Sequence, residues 1–392
     1  MKEDLVSYFL YVLKCFYRNE ECLSPKTQID LRDIYVFSKC HNLQNIVFGK
    51  IKDIECFKNS EYYNVFKKEA FILAGNSITI DEDINMFSNI LNNNNISHTF
   101  FKGAVLRKCY PSIDCRTMGD VDVFVDKGDI PKLKEALANT KFLPNAKHDH
   151  SNVYAYKYYK TTFEIHENIA SRNCMIHKGD FVSFFSNADD NKVLVENNTY
   201  MFTPEYHLVY LVYHLLKHFE RKGCGLRFFL DFPFFIDKYR EQIDWKTVEK
   251  WLEELKLTDF CDGVFQFCNH IFGSRLPQFG NNNLDEDTMN YLVKLVCRGG
   301  IFGYYNTESY HHKIISWQIK NSESSKLKTI FRLVFPTREE MYHYHCWDIK
   351  IPLVFLPFGY IKRICKSIFL TDNSNKDKKR ETELIKKMGL DN

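Results

Sequence analysis

Two acidic residues stand one position apart in an otherwise apolar run, Gly119-Asp120-Val121-Asp122-Val123-Phe124-Val125. The β-branched and aromatic residues around them predict a buried strand. Alternate residues of a strand point to the same face, so we expect both carboxylates to project together. Two neighbouring carboxylates are costly to bury, which favours a bound divalent cation such as Mg²⁺ or Mn²⁺. The run is therefore a candidate phosphoryl- or nucleotidyl-transfer site.

A third acid is needed to complete a cage of oxygen ligands, and Glu164 is the best candidate. It lies in the alternating run 162–166, where Glu164 and His166 share one face of a predicted strand. We expect a neighbouring antiparallel strand to bring Glu164 beside Asp120 and Asp122. The alternative is a solvent-facing Glu164 on an edge strand, and spacing alone does not separate the two.

Lys102-Gly103 stands between a predicted strand at 96–101 and a predicted short helix at 104–110. Glycine lets the backbone approach a phosphate, and a helix N-terminus offers free N–H groups. Lys102 would add a point charge to a triphosphate, although an ordinary turn explains the pair as well. Arg116 either reaches the same phosphates or braces the loop before the acidic strand, with a solvated arginine as the default alternative.

The chain divides into four predicted regions and an α+β fold. Residues 1–95 form an N-terminal helical region, with a long helix from about Glu61 to Leu91. Residues 96–200 form a small mixed sheet with helices, in the order β-α-β-α-β-β. Residues 201–345 form a C-terminal helical domain, and residues 346–392 form a charged, partly mobile tail.

Composition excludes several classes of protein. The net charge of +3 gives no electrostatic argument for a specific nucleic-acid partner. Thirteen cysteines contain no Cys-x-x-Cys pair, which argues against a zinc ribbon and fits reduced thiols. No apolar stretch is long enough for a membrane span, and the N-terminus lacks a signal-peptide pattern. We therefore expect a cytoplasmic protein.

His214 and His218 are four residues apart on one predicted helix, a spacing that can bind a transition metal. No glutamate follows His214 as in a zinc protease, and histidines in a core or polar network are the alternative. Arg227 and Asp231 have the same spacing, which favours a salt bridge between them. We assign five residues to the acceptor side of the site: His166, His214, His218, Arg227 and Asp231.

The pieces in this order resemble the signature of the uncharacterised bacterial nucleotidyltransferases of the DNA polymerase beta superfamily. The signature comprises Phe101-Lys102-Gly103-Ala104-Val105-Leu106, Tyr110-Pro111, Arg116 and the run from Gly119 to Val125. Downstream, Phe163-Glu164-Ile165-His166 resembles the second strand of that family. The runs 214–219 and 225–231 resemble its helical continuation, so that the resemblance covers about residues 60–345.

The resemblance implies a polymerase-beta-like nucleotidyltransferase core embedded between the two helical regions. It assigns three acids to catalysis and metal binding: Asp120, Asp122 and Glu164. We assign four residues to the nucleotide: Lys102, Gly103, Arg116 and Gly119. The usual Gly-Ser turn of the superfamily is Lys102-Gly103 in this chain.

The implied reaction is the Mg²⁺-dependent transfer of a nucleoside monophosphate from an NTP, with ATP as first choice, to a hydroxyl-bearing acceptor, releasing pyrophosphate. The acceptor is a small molecule, a glycan or a protein. One alternative is a catalytically silent nucleotide-binding or scaffold protein of the same fold. A second is a metallohydrolase built on His214, His218 and Asp231.

Overall fold

The computed structural model describes residues 3–145, 153–170, 173–174, 177–220, 224–299, 380 and 383–390.

Helices occupy the first part of the chain. The helix that begins at Leu31 is capped by Asp30, whose side chain accepts a hydrogen bond from the Arg32 N–H. The long helix predicted from Glu61 runs two residues further than expected. The first helices are α1 (Glu3–Tyr17), α2 (Leu31–His41), α3 (Gln44–Ile51), α4 (Glu55–Lys58) and α5 (Tyr62–Asn93).

A seven-stranded mixed sheet follows. Its strands and the helices between them are β1 (His98–Phe100), α6 (Gly103–Leu106), β2 (Asp120–Phe124), α7 (Ile130–Ala138), β3 (Leu143–Pro144), β4 (Val153–Tyr158), β5 (Thr161–His166), α8 (Phe181–Phe184), β6 (Lys192–Glu196) and β7 (Thr199–Phe202). The strands lie in the order β3-β4-β5-β2-β1-β7-β6. β2 pairs with β5 and β1 pairs with β7 in parallel, while the other neighbours are antiparallel.

Two features of the sheet differ from the prediction. We expected Glu164 to lie on a strand antiparallel to β2, and this prediction is wrong. β5, which carries Glu164, forms an antiparallel hairpin with β4 and lies parallel to β2. The β6–β7 hairpin was not predicted. Its two-residue turn holds Asn197 at a φ of 49°, a left-handed conformation that asparagine tolerates. The Asn-Asn pair at 197–198, between two apolar runs, is the signal that predicts such a turn.

Helices return after the sheet and share a core with the N-terminal helices. Tyr17 donates a hydrogen bond to Asp237, and the Leu226 N–H donates to the ring of His41. One hydrophobic cluster contains side chains from both ends of the chain, so neither helical region is separate. The helices are α9 (Pro204–Phe219), α10 (Leu226–Tyr239), α11 (Trp245–Glu254), α12 (Thr258–Phe272) and α13 (Glu286–Gly299).

A second hydrophobic cluster lies under the sheet, where α5 and α7 cover β2 and β5. The predicted α+β fold, with a small mixed sheet between helical regions, is thus confirmed. Most of the chain beyond residue 299, including much of the predicted tail, lies outside the described residues. Of that tail, Leu384 and Met388 are buried in the helical core. None of the described helices has the length and apolar content that crossing a bilayer requires.

Candidate active site

The register between β2 and β5 brings the acids together. Asp122 pairs with Glu164, and Asp120 pairs with Thr162 one step earlier on the same face. Ligand atoms of Asp122, Glu164 and His166 all lie within 4.8 Å of one another. In the part of the chain that the structure describes, this is the single group of three such residues with metal-ligand spacing. Asp120 lies at the exposed end of β2.

Asp122 is the buried centre of this group. The Lys102 ammonium donates to Asp122 Oδ1 at 2.6 Å, and His166 Nε2 lies 2.8 Å from the same oxygen. Burial alone would raise the pKa of Asp122, but Lys102 and then His166 outweigh it and hold this pKa well below its usual range. Burial lowers the pKa of His166, so its imidazole is neutral near pH 7 and donates through Nε2–H.

Glu164 and Asp120 lack a comparable partner. Burial, followed by the charges of Asp122 and Asp120, raises the pKa of Glu164 to about 7. Desolvation and then Asp122 raise the pKa of Asp120, although its side chain reaches solvent. Basic side chains nearby, Lys102 and Lys217 at Glu164 and Lys102 followed by Arg227 at Asp120, lower these two pKa values without reversing the upward shifts. Hard oxygen donors whose negative charge is only partly compensated fit a divalent cation such as Mg²⁺.

The Lys102-Gly103 turn differs from the expected phosphate cradle. It is Lys102 that has the left-handed backbone, with φ 49° and ψ −124°, whereas Gly103 has no positive φ. A Cβ on Gly103 would lie 3.3 Å from Met118 Cβ, so close packing is the local feature that favours glycine here. Gly119, by contrast, has no atom within 4 Å of the position of a Cβ. The open position in this loop is thus next to Asp120.

Arg116 braces the loop before β2. Its Nε and one terminal nitrogen donate to Asp231 Oδ1 at 2.8 Å and Oδ2 at 2.9 Å, and its other terminal nitrogen donates to the Thr117 carbonyl. Tyr110 donates its hydroxyl to Asp231 Oδ1 at 2.8 Å. Of the two roles left open for Arg116, this buried fork fits bracing.

The predicted salt bridge between Arg227 and Asp231 is wrong, because Arg116 occupies both oxygens of Asp231. Arg227 instead donates to the Thr117 carbonyl at 2.7 Å, and its buried Nε has no hydrogen-bond partner. Burial and then the charge of Arg116 lower the pKa of Arg227 to about 9. A cation without a carboxylate partner therefore lies beside the loop that carries Gly119.

His214 and His218 pack against each other with ring centroids 4.6 Å apart, and Phe228 contacts both rings. Burial, and then His218, lower the pKa of His214 well below its usual value. They form no three-residue ligand group with Asp231 among the described residues. His214, Lys102, Arg116 and Asp231 line a cavity of about 30 Å³, enough for about one water.

Two aromatic residues near Lys102 were missed. The Lys102 ammonium lies 5.0 Å from the Phe101 ring centroid and 6.0 Å from that of Tyr210. Tyr210 lies one helical turn before His214 on α9 and stacks on it. The i, i+4 spacing of Tyr210 and His214 is the signal that would have placed both on the same face.

Comparison with known proteins gives one match. A family model described as an uncharacterised nucleotidyltransferase covers residues 27–273, more than half of the chain, including every acid of the site. No curated protein and no solved structure matches the chain. The family resemblance of the sequence is thereby confirmed. On the strength of this match and of a fold that carries paired acids on a mixed sheet, the chain belongs to the family of uncharacterised nucleotidyltransferases.

Proposed function

We propose that the protein is a divalent-cation-dependent nucleotidyltransferase that moves a nucleoside monophosphate from an NTP to an acceptor hydroxyl and releases pyrophosphate. Family membership supports the general kind of reaction. The cation, the nucleotide and the acceptor are parts of the proposal. The observation that carries it is the parallel register of β2 and β5, which pairs Asp122 with Glu164.

Asp120, Asp122 and Glu164 would hold Mg²⁺ or Mn²⁺ between them. Such a cation, when bound, neutralises the triphosphate and makes an acceptor hydroxyl more acidic. Burial, and then the charges of Asp122 and Asp120, raise the pKa of Glu164, and this supports the assignment because a bound cation would offset those charges. His166 would act as a positioning residue, because its hydrogen bond orients the carboxylate of Asp122.

In the proposed reaction the acceptor oxygen attacks the α-phosphorus, and the bond from that phosphorus to the bridging oxygen of pyrophosphate breaks. The proton of the acceptor hydroxyl goes to the carboxylate of Glu164, because burial and the neighbouring acids raise the pKa of Glu164 to about 7, whereas the pKa of Asp122 lies well below its usual range. Most of the acceleration would come from positioning and charge compensation.

Four residues are proposed for the nucleotide. Lys102 immediately precedes α6 and Gly103 is its first residue, and Gly119 has open space beside it. Arg116 would act indirectly, by holding the loop of Gly119 through its fork on Asp231. We keep ATP as the first choice of nucleotide. On the acceptor side we retain His166, His214, His218 and Arg227, whereas Asp231 would act indirectly, by holding Arg116 and the loop of Gly119 in place.

The acceptor class stays a hydroxyl-bearing small molecule, glycan or protein, and no specific nucleic acid is proposed. We also propose a reducing, cytoplasmic location. The cysteines in the described part of the chain form no disulfide with one another, which supports a compartment that keeps thiols reduced.

The direct test is nucleotide-dependent pyrophosphate release and transfer of a labelled NTP, compared between wild type and Asp122→Asn. We expect Asp122→Asn to lower transfer by about 10³-fold, the scale seen when a preorganised charge at a transition state is lost. Asp129→Asn is the matched control, because this aspartate begins α7 without a side-chain cap hydrogen bond. Equal transfer by wild type and Asp122→Asn would remove the proposal.

One observation favours the silent alternative. The Lys102 ammonium already occupies Asp122, as it would in a protein that binds nucleotide without turnover. Calorimetry separates the two functions, because tight NTP binding without pyrophosphate release supports the silent protein. The metallohydrolase alternative has no comparable support, since Asp231 is held by Arg116 and Tyr110.

A further inference from the structure

The Lys102 ammonium contacts the Asp122 oxygen that a bound divalent cation would also need. Its Nζ lies 2.6 Å from Asp122 Oδ1, an oxygen that also accepts from His166. The side chains of Lys102 and Asp122 are 16% and 5% exposed, so water screens the pair little. The nearby Phe101 ring, 5.0 Å from the ammonium, stabilises the charge in this position.

The backbone of Lys102 is strained in the same place. Its φ of 49° and ψ of −124° are unusual for a residue other than glycine, and such conformations cost on the order of 1–3 kcal/mol. The conformation is held from both sides. The Lys102 N–H donates to His207 Nε2 at 3.2 Å, and the Lys102 carbonyl accepts from the N–H groups of Val105 and Leu106. A strained residue retained beside a candidate ligand points to a role in the site.

We propose that Lys102 is a built-in counter-ion of Asp122 that competes with the divalent cation, so that the ammonium must leave Asp122 when the cation binds. This inference rests on the proposed function, because the cation is the one that nucleotidyl transfer uses. Lysine suits the role because its compact ammonium sits on a flexible four-carbon stem and forms no rigid fork.

The consequence is a coupling between cation and nucleotide. An ammonium displaced from Asp122 is free to pair with an anionic phosphate of the incoming NTP. A phosphate that draws Lys102 away from Asp122 in turn strengthens cation binding, since coupling between two ligands is reciprocal. The ligand-free protein keeps its buried carboxylate compensated without a metal.

The first test is a Mn²⁺ titration of nucleotide-free protein, with free Mn²⁺ followed by electron paramagnetic resonance. We expect Lys102→Met to bind Mn²⁺ about 10- to 100-fold more tightly than wild type, the scale on which a contacting charge shifts a carboxylate equilibrium. Lys108→Met is the matched control, because Lys108 is exposed on the turn that follows. We expect the Mn²⁺ affinity of Lys108→Met to equal that of wild type. Adding Asp122→Asn to Lys102→Met abolishes the gain.

Equal or weaker Mn²⁺ binding by folded Lys102→Met would overturn the proposal, and so would tighter binding that survives Asp122→Asn. Should Lys102→Met fail to fold, the wild-type protein provides a second test. Labelling with an amine-reactive reagent, located by mass spectrometry, is expected to modify Lys102 several-fold faster with Mg²⁺ than with EDTA. An unchanged rate at Lys102 contradicts the displacement.

These outcomes are separate from failure of the proposed function. A protein that shows the Lys102→Met gain but never releases pyrophosphate would lose its assignment as a transferase and keep this inference. Conversely, transfer that depends on Asp122, with Mn²⁺ affinity unaffected by Lys102→Met, would keep the proposed function and end the inference.

Discussion

Of the buried aspartates in the described part of the chain, Asp122 and Asp231 each contact a basic side chain, but their surroundings differ. Asp231 receives a two-point fork from Arg116 and a third hydrogen bond from Tyr110, so both of its oxygens are occupied. Asp122 accepts from Lys102 and His166 on Oδ1, and no described residue donates to its Oδ2.

The difference separates a brace from a binding site. A planar guanidinium on both oxygens fixes a carboxylate in place, whereas an ammonium on one oxygen can be exchanged for another cation. The two also depend on each other. Arg116 and Arg227 both donate to the Thr117 carbonyl, three residues before Asp120. The pair at Asp231 thus anchors the loop that leads into the strand of Asp122.

The largest effect expected from this comparison is on stability, at Asp231. Asp231→Asn should lower the free energy of unfolding by about 3–5 kcal/mol, because it leaves the buried charge of Arg116 without its carboxylate. Asp122→Asn should cost clearly less, because the partly exposed Lys102 side chain can move into water. Urea unfolding of both variants measures the difference. If Asp122→Asn lost as much unfolding free energy as Asp231→Asn, the two carboxylates would not differ in this way.

The next effect concerns Glu164 and the dependence of stability on pH. With the pKa of Glu164 raised from 4.5 to about 7, the folded protein binds the Glu164 proton more tightly than the unfolded chain does. Wild-type stability should therefore fall as pH rises from about 4.5 to about 7 and then level off. At about 1.4 kcal/mol per pKa unit, Glu164→Gln should be more stable than wild type by about 3 kcal/mol near pH 8.

Urea titrations between about pH 4 and pH 8 in EDTA check this expectation. The two proteins should have similar stability near pH 4, where Glu164 is protonated in both the folded and the unfolded state. Glu135→Gln, at an exposed position of α7, serves as the control and should show no such divergence. A difference between Glu164→Gln and wild type that does not grow with pH contradicts the raised pKa.

A smaller effect tests the geometry of the brace. Arg116→Lys keeps the charge but loses the fork, so one of the two contacts with Asp231 is lost. We expect a loss of about 2 kcal/mol in the free energy of unfolding, the scale of one hydrogen bond to a charged group. Thermal or urea unfolding measures it. If Arg116→Lys were as stable as wild type, the stability of this pair would not depend on the two-point contact between Arg116 and Asp231.

The smallest effect is expected at Tyr110. Tyr110→Phe removes one hydrogen bond to Asp231 and leaves the Arg116 fork intact. A loss of about 1–1.5 kcal/mol in stability should follow, with little change in Mn²⁺ binding or nucleotide transfer. Should Tyr110→Phe impair Mn²⁺ binding more than it lowers stability, the brace and the site are coupled more tightly than the contacts indicate.

Much of the fold and part of the candidate site followed from local patterns. Alternation of apolar and acidic residues predicted the strand of Asp120 and Asp122, and a second alternating run predicted the strand of Glu164. The long N-terminal helix was also predicted within two residues at its end. Periodicity reports which residues of an element share a face, and that information lies within a few neighbouring positions.

Partners that are distant in sequence were not predictable in this way. Arg227 was paired with Asp231 because they are one helical turn apart, but Arg116, 115 residues from Asp231, takes that carboxylate. The contact of Lys102 with Asp122 and the strained backbone of Lys102 were likewise absent from any local pattern.

The sequence by itself determined the chemistry of the parts: two acids on one strand face, a third acid on another strand, and a basic turn nearby. Tertiary structure alone decided that β5 lies parallel to β2, that Lys102 compensates Asp122, and that Arg116 closes on Asp231. The reason is physical. The face of a side chain follows from the repeat of its own element, whereas pairing between elements depends on burial across the whole chain.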